Sequence, residues 1–438
     1  MRHFSAPPIP TDSTPAVNVY TGGMAEAHRW LLTRDFSLMW WSQVLSQVAE
    51  GISKLALLWF VYAVTGSPLK TTVIGLLQTL PPILFGPFIG VIVDRFPKKT
   101  ILIASDVARG VLIGLIPCLV LVEHFTVGSL YLLTFLYGVA TAVFVPTLSS
   151  AVPFMVTRPQ FTAANALLQS TTSLGIIFGP AVSGLGIAFA GSQDVLCLNA
   201  MTYFASAACL LPIRLRVTEA TTADGDGWRP FIRHLLEGIR YAFLTHRTVL
   251  MLIALASVYT FGSGAFTTLF PVFGRHLLGL GPVEVGYLWS WLGVGLLLSS
   301  IGLIRMSGWD LSQRLSVITL SCALAGLALV GLTWTDDLRL AALLVGCIGI
   351  GFGAWTPIAW GIIQEVAPAG MVGRVMAVYT ASATATSMLG MSAFGWVAES
   401  FGSVASIIGI SGVMCVLAGG SAWFGKRIGV AVIGKADV

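Results

Sequence analysis

Long apolar runs dominate this chain and leave it few possible folds. Twelve such runs follow one another along nearly the whole length. Each has about twenty residues, enough to cross a hydrocarbon core about 30 Å thick as a helix that rises about 1.5 Å per residue. Only 10% of the residues are charged, against about 25% in soluble domains. Because backbone in lipid satisfies its polar groups only within helices or closed barrels, uninterrupted runs of this length predict an all-α polytopic membrane protein.

Short connections separate the runs, with one long exception at 214–247. The predicted helices are 38–64, 71–93, 100–122, 128–150, 163–190, 194–213, 248–273, 283–304, 312–334, 338–363, 373–398 and 402–424. The chain therefore divides into an N-terminal tail at 1–33, a six-helix half at 34–213, a linker at 214–247, a second six-helix half at 248–424 and a C-terminal tail at 425–438.

The tail and the linker have distinctive compositions. The first residues are rich in Pro, Ser and Thr and lack the apolar core of a signal peptide, so they are expected to be disordered. The linker contains WRPFIRHLLEGIRYAF, Trp228 to Phe243, with apolar residues at helical spacing beside basic ones. That pattern predicts an amphipathic helix at the membrane surface that tethers the two halves.

The basic residues are unevenly distributed. Of the 24 Lys and Arg residues, 19 lie at the N-terminus, at the C-terminus, or in the even-numbered connections and the first three residues of the helices that follow them. By the positive-inside rule this places both termini in the cytoplasm, with the protein in the inner or plasma membrane. The formal charge of +5 thus reflects membrane topology, and we expect no nucleic-acid partner.

A gapless internal repeat relates the two halves at an offset of 211 residues. The matched positions are Gly51, Gly75, Gly138, Pro146, Gly179, Gly184 and Gly191 with Gly262, Gly286, Gly349, Pro357, Gly390, Gly395 and Gly402. Since glycine lets membrane helices approach closely, matched glycines predict matched helix crossings. Two six-helix halves of the same topology are a transporter architecture with a site near the midplane between the halves. Such a chain needs no partner subunit, so we expect a monomer.

Polar residues at helical spacing mark the first predicted helix. Gln43, Ser46, Gln47, Glu50 and Lys54 are expected to form one stripe. Because a charge at the centre of a membrane helix costs about 2.5–3.5 kcal/mol, this stripe should face a wet cavity. Two interpretations stay open. Either Glu50 takes up a proton and couples its uptake to cavity opening, or the acid and Lys54 form a permanent ion pair or bind polar substrate groups without titrating.

A smaller polar face is predicted on the fifth helix, at Asn165 and Gln169. Trp355, Trp360, Trp289 and Trp291 are candidates for aromatic walls of the cavity, with packing as the alternative for each. A cavity with aromatic walls and few charges suits a bulky amphipathic solute.

The stretch GVIVDRFPKKT carries a family resemblance. The residues Gly90, Asp94, Arg95, Lys98 and Lys99 resemble, in order and spacing, the signature between the second and third helices of the major facilitator superfamily. The resemblance implies a charged latch at the cytoplasmic helix ends that holds the outward-facing state, with topology alone as the simpler explanation. Asp106 and Arg109 on the third helix are expected to be further members of this cytoplasmic gate. Offset 211 places Arg305 and Met306 opposite the acid and the arginine, so the latch should be asymmetric.

A second motif lies on the fifth helix. Gly175, Gly179, Pro180 and Gly184 resemble the helix-packing motif of the superfamily's antiporters, although Ser183 stands where a glycine is expected and Ala166 replaces another. From 34 to 424 the chain resembles the exporter branch that contains macrolide efflux proteins and enterobactin-type siderophore exporters.

These features together predict a major facilitator fold of twelve helices that works by alternating access. The expected function is proton-coupled export of a drug, macrolide-like compound or siderophore, with the proton gradient as energy source and protons, cargo and membrane lipid as partners. Within transport, a uniporter or lipid flippase is the alternative, and outside transport a membrane receptor. We expect no enzyme, cofactor or metal site, because the sequence shows no catalytic constellation, phosphate loop or ligand cluster.

Overall fold

The computed structural model describes residues 33–156, 161–214, 237, 239–245, 247–304, 309–368 and 371–436. The regular structure in these ranges is helical throughout. Twelve α-helices are α1 Arg34–Thr65, α2 Pro68–Arg95, α3 Lys98–Leu121, α4 Val127–Ala151, α5 Phe161–Leu210, α6 Arg247–Leu277, α7 Pro282–Ile304, α8 Leu311–Leu332, α9 Leu338–Gly353, α10 Trp355–Val366, α11 Val372–Phe401 and α12 Ser403–Ala436. A short 3₁₀ turn follows α4, and a π-helical turn precedes α6.

The numbering of the helices does not match the numbering of membrane crossings at two places. Gly191, at φ 88° and ψ 163°, breaks the 50-residue α5 into two segments, 161–190 and 192–210. By contrast α9 and α10 follow one another within the predicted crossing at 338–363. In the part of the chain that the structure describes, nine helices are long and apolar enough to cross a membrane. With α5 counted as two and with α2 and α11, of 28 and 30 residues, there are twelve crossing segments.

A helix stands at the place of every predicted crossing, and the main difference is at the C-terminus. There α12 continues to Ala436, so the tail expected at 425–438 is largely helical. The N-terminal tail up to residue 32 and most of the linker helix predicted at 228–243 lie outside the described residues. Within the linker, Glu237 pairs with Arg374 of α11 at 2.5 Å, which ties the linker to the second half.

The internal repeat is visible in the backbone. Gly402, which separates α11 from α12, has φ 87° and ψ 167°, nearly the values of Gly191 at the equivalent position of the first half. Both lie at positive φ, where only glycine is free of strain. The crossings repeat as well, since Gly138 packs on α2 at Pro81 and Gly349 packs on α7 at Leu292, the residue 211 positions after that proline.

Backbone contact joins α5 to α1 within the first half. A Cβ on Gly179 would lie 2.6 Å from the Cα of Gly51, and one on Gly175 would meet the backbone of Gln47. The second half repeats this crossing, because Gly390 of α11 packs against the backbone of Phe261 in α6. These glycines therefore set the distance between the paired helices in each half.

The two halves meet near one end of the bundle. We call the end with connections 96–97, 211–246 and 305–310 the linker end, and the end with connections 66–67, 278–281 and 402 the opposite end. Near the opposite end, Gly184 of α5 contacts the backbone of Gly286 in α7, and Gly395 of α11 contacts Thr72 of α2. These two contacts are related by the 211-residue repeat and bring the halves together as a pseudo-symmetric pair.

One further contact between the halves has no symmetric counterpart. The carboxylate of Glu399 at the end of α11 accepts hydrogen bonds from Ser67 Oγ at 2.7 Å and from the backbone N–H of Leu69 at 3.2 Å. A carboxylate at the start of α2 also interacts favourably with the helix dipole. The corresponding position of the first half is Ala188, which carries no carboxylate.

The α1–α5 crossing predicts a clear stability difference between two glycine substitutions. Gly51→Ala places a methyl group against the backbone of Gly175 and Gly179, and overpacking of this kind costs about 1–3 kcal/mol. Gly412→Ala in α12, where a Cβ would meet nothing within 4 Å, should leave stability unchanged or slightly raised. Thermal unfolding of both purified variants in detergent measures the difference. Equal stability of the two would show that α1 and α5 do not approach as described.

Candidate functional site

Two cavities lie side by side along α1. The first, of about 210 Å³, is here called the charged cavity, and it is lined by Glu50, Lys54, Leu58, Gly75, Gln78, Thr79, Tyr137, Gly138, Thr141, Thr267, Thr268 and Met391. The second, of about 420 Å³, is called the amide cavity, and it is lined by Gln43, Gln47, Val145, Leu148, Ser149, Asn165, Leu168, Gln169 and Thr172. The polar stripe of α1 supplies charges to one cavity and amides to the other.

The charged cavity lies between the halves, because Thr267, Thr268 and Met391 come from the second half. Lys54 is exposed to it and holds its ammonium 5.8 Å from the ring centroid of Trp289 in α7. Glu50 accepts a long hydrogen bond of 3.5 Å from Gln47 Nε2. Among the described salt bridges none joins Glu50 to Lys54. Each charge is therefore accessible to a ligand or a proton in this conformation.

The amide cavity lies within the first half, toward the linker end. It brings the predicted face of Asn165 and Gln169 opposite Gln43 and Gln47. Four of its lining residues, Val145, Ser149, Asn165 and Gln169, are exposed, so the cavity opens to the surrounding medium. The sequence pattern therefore identified most of this polar wall.

Ser46 does not share the stripe. It faces the interior of the first half, where it accepts a hydrogen bond from Arg109 Nη2 at 3.0 Å and donates to Asp106 Oδ1 at 3.4 Å. Ser206 Oγ donates to the other carboxylate oxygen, Asp106 Oδ2, at 2.7 Å. The aspartate and the arginine also form a direct ion pair, and both side chains are completely buried.

Two aromatic rings pack against the arginine of this buried pair. The guanidinium carbon of Arg109 lies 4.2 Å from the ring centroid of Phe144 and 4.8 Å from that of Tyr203. Tyr203 and Tyr137 share a hydrogen bond of 2.7 Å between their hydroxyls, and Tyr137 lines the charged cavity. A chain of polar contacts thus leads from the cavity to the buried ion pair.

The buried pair changes the expected gate. Asp106 and Arg109 were predicted at the cytoplasmic latch, but the structure pairs them with each other inside the first half, linked to α1 and to segment 192–210. Helical spacing placed them one turn apart correctly. It did not reveal that serines on two other helices complete the pair and keep it away from the surface between the halves.

The predicted latch loop makes contacts within the first half. Lys98 donates to the carbonyl of Val93 at the end of α2, and Lys99 donates to the carbonyl of Leu211 at 2.6 Å. Basic groups at helix C-termini satisfy free carbonyls and the helix dipole. Arg95 ends α2 and is exposed, and Gly90 has open space beside it. The side chain of Asp94 lies outside the described residues.

The glycine motif on α5 contacts two different helices. Gly175 and Gly179 contact α1, whereas Gly184 and the carbonyl of Pro180 contact Gly286 of the second half. Ser183, which replaces an expected glycine, is fully buried and donates to the carbonyl of Ile52 at 3.3 Å. The motif therefore packs one helix against both a neighbour and the opposite half.

The four candidate tryptophans have different surroundings. Trp289 is buried beside Lys54 and approaches the charged cavity. Trp355 is 1% exposed, stacks on Tyr259 and donates to the hydroxyl of Tyr379 at 3.0 Å, so it packs within the second half. Trp291 and Trp360 are exposed and do not line either cavity.

The buried ion pair generates a testable contrast with a surface pair. Asp106→Asn leaves the Arg109 charge buried without its counter-ion, which costs about 3–5 kcal/mol. Glu365→Gln removes the partner of Arg314 in a pair whose carboxylate is 60% exposed, and such pairs contribute about 0–1 kcal/mol. Thermal unfolding should show a large loss for the first variant and almost none for the second. Similar losses in both would argue against the buried pair.

Comparison with known proteins adds independent information. A family model described as the Major Facilitator Superfamily matches residues 39–387. The multidrug efflux pump Tap of Mycolicibacterium fortuitum is 26% identical over 397 residues, covering 87% of this chain and 93% of that protein. Macrolide efflux protein A of Streptococcus pyogenes is 23% identical over 354 residues, covering 80% of this chain and 86% of that protein.

Solved structures share the fold at low sequence identity. A bacterial homologue of the human lysosomal transporter Spinster, solved in an inward-facing, unoccupied conformation, matches with a TM-score of 0.70 and 13% identity, covering 89% of this chain and 96% of that chain. The fold, with its two halves around a midplane cavity, is therefore that of a known transporter class.

Proposed function

The chain belongs to the major facilitator superfamily, and from this membership we propose that it is a proton-coupled exporter of a bulky amphipathic small molecule. The cargo is a drug, a macrolide-like compound or a siderophore. Two curated relatives that align over most of the chain are named as multidrug and macrolide efflux proteins, which supports export of such compounds. The single observation that carries the proposal is a charged cavity, lined by Glu50 and Lys54, at the interface of the two halves.

The contacts between the halves support alternating access. The glycine contacts of Gly184 and Gly395 hold the opposite end closed, while Ser149, Asn165 and Gln169 leave the amide cavity exposed toward the linker end. The excess of basic residues in the connections of the linker end supports a cytoplasmic location for that end and for both termini. The conformation is then inward-facing and ready to take cargo from the cytoplasm.

The reverse conformation needs a closure at the linker end. Asp94 and Arg95, with the bases Lys98 and Lys99, are the candidates for that latch, because they lie where α2 and α3 meet at this end. Charge-assisted bonds made in one conformation and broken in the other bias a two-state equilibrium.

Glu50 is the proposed proton carrier. It lines the cavity between the halves and lies within electrostatic reach of Lys54, Arg109, Tyr137 and Tyr203. Its hydrogen bond from Gln47 connects it to the amide cavity, which that glutamine also lines. Because linkage is reciprocal, a proton that reorients Gln47 alters cargo affinity, and the cargo alters proton affinity by the same factor.

The coupling proposal predicts the behaviour of a conservative variant. In proteoliposomes with an imposed pH gradient, transport of radiolabelled erythromycin by the native protein should be faster than without the gradient. Glu50→Gln cannot release a proton, so its gradient-driven transport should fall to the level of empty vesicles. Glu123→Gln, which changes an exposed acid in a connection, is the matched control and should transport like the native protein.

Other outcomes of this experiment identify the alternatives. Flux that is equal with and without the gradient, and unchanged in Glu50→Gln, indicates a uniporter or a lipid flippase and contradicts proton coupling at this acid. Binding of erythromycin without any flux indicates a receptor and contradicts transport.

The inward-facing orientation has its own test. Ser149→Cys in a background without the six natural cysteines should react with a membrane-impermeant thiol reagent in inside-out vesicles and not in intact cells. Asp336→Cys, in the connection between α8 and α9, should show the opposite pattern. Labelling of both positions from the same side would overturn the assigned topology.

A further inference from the structure

The amide cavity has a chemistry of its own, distinct from the charged cavity. No charged residue is among its described lining residues. Four carboxamides, from Gln43 and Gln47 on α1 and from Asn165 and Gln169 on α5, face one another across it. Each carboxamide carries both donors and an acceptor. The site is therefore rich in neutral hydrogen-bonding groups.

An apolar wall completes this cavity. Val145 and Leu148 of α4, with Leu168 of α5, lie among the amides, and the hydroxyls of Ser149 and Thr172 stand at its edge. Its volume of about 420 Å³ is within the range of small-molecule sites, about 300–1,000 Å³. A ligand that fits has an apolar face and a polar rim.

One buried atom shows which hydrogen bonds are missing. The side chain of Gln43 is only 3% exposed, and its Oε1 has no hydrogen-bond partner. Because this oxygen is closed off from water although the residue lines the cavity, a ligand donor reaches it only when the carboxamide rotates toward the cavity. A buried acceptor without a partner costs free energy that such a donor would recover. This observation points to a ligand that carries O–H or N–H groups at that position.

Gln47, which lines the same cavity, carries a second amide oxygen. Its Nε2 is the atom that donates to the Glu50 carboxylate, so its Oε1 is left available to the cavity. An ionised acid fixes this orientation, because a carboxylate accepts and cannot donate. The amide cavity thus offers two glutamine oxygens to a hydrogen-bond donor.

Charged groups are poor candidates for this cavity. An ammonium or a carboxylate of the cargo would find no counter-charge among the lining residues and would lose solvation. A purely apolar group would leave the Gln43 oxygen without a partner. An uncharged group with several hydroxyls and exposed C–H faces, such as a glycosyl ring, fits both parts of the cavity. Its hydroxyls donate to the amide oxygens, and its C–H faces pack against the apolar side chains.

We infer that the amide cavity binds an uncharged, hydroxyl-rich part of the cargo, of glycosyl type, and that the side-chain oxygens of Gln43 and Gln47 accept its hydrogen bonds. This subsite rests on the proposed transport function and narrows its cargo to molecules that carry such a group. The charged cavity between the halves then holds another part of the same molecule.

A pair of matched fluorescent probes tests the subsite. The probes 4-methylumbelliferyl β-D-glucoside and 7-methoxy-4-methylcoumarin share one aromatic body, and only the first carries a sugar. Binding is measured by equilibrium dialysis against full-length protein extracted directly into lipid nanodiscs, because maltoside and glucoside detergents would compete. Empty nanodiscs correct for partition into lipid.

The native protein should bind the glucoside about tenfold more tightly than the methyl ether, as expected for two or more added hydrogen bonds. Gln43→Leu and Gln47→Leu should each reduce this preference while leaving the affinity for the methyl ether in place, which also reports a folded cavity. Gln364→Leu alters an exposed glutamine of α10 that lines neither cavity and is the matched control, so it should keep the full preference.

Equal binding of the two probes by the native protein would overturn the subsite, whatever the variants do. A preference that survives both Gln43→Leu and Gln47→Leu would also overturn it, since the proposed acceptors would then be dispensable. Dialysis needs no gradient, so a failure of proton coupling in the Glu50→Gln transport assay leaves this result intact, and the two proposals fail separately.

Discussion

Close backbone contact at glycines is the interaction on which the rest of this structure depends. Lipid tails are as apolar as leucine, so helices in a bilayer gain little from hydrophobic burial and associate through close packing instead. Here Gly51, Gly175 and Gly179 join α1 to α5, and Gly184 joins α5 to the opposite half. A single helix therefore fixes both the polar face of α1 and the interface at which the halves close.

Because the helices pack in this way, some charged side chains of the first half are buried inside it and others line a cavity. Asp106 and Arg109 are completely buried and have partners on two other helices, so they are suited to holding the first half together as one body. Glu50 and Lys54 lie on a different helix, α1, where they line the charged cavity. A buried ion pair is costly to disturb, whereas charged side chains that line a cavity are open to a ligand, and the two sets of charges are therefore suited to different tasks.

The sequence predicted the positions of the helices better than it predicted which side chains contact one another. Apolar length located the crossing segments, and the 211-residue repeat matched Gly191 with Gly402, which the structure shows in nearly the same backbone conformation. Periodicity also placed Gln43, Gln47, Glu50 and Lys54 correctly along the cavities. It failed for Ser46, because a helical stripe is wide and the decisive neighbours, Asp106 and Ser206, are remote in the chain. Pairings of that kind depend on how three helices cross, which no local pattern encodes.

The closure at the opposite end combines symmetric and asymmetric contacts, and their chemistry differs. The contacts of Gly184 and Gly395 involve small residues and backbone, so separating them exposes little polar surface. Glu399, by contrast, makes two directional hydrogen bonds to the first turn of α2 in the other half. If the halves rock as the proposed alternating access requires, these bonds are exchanged for water at that end. The directional bonds therefore stabilise the closed state of the opposite end, while the glycine contacts determine the geometry to which it closes.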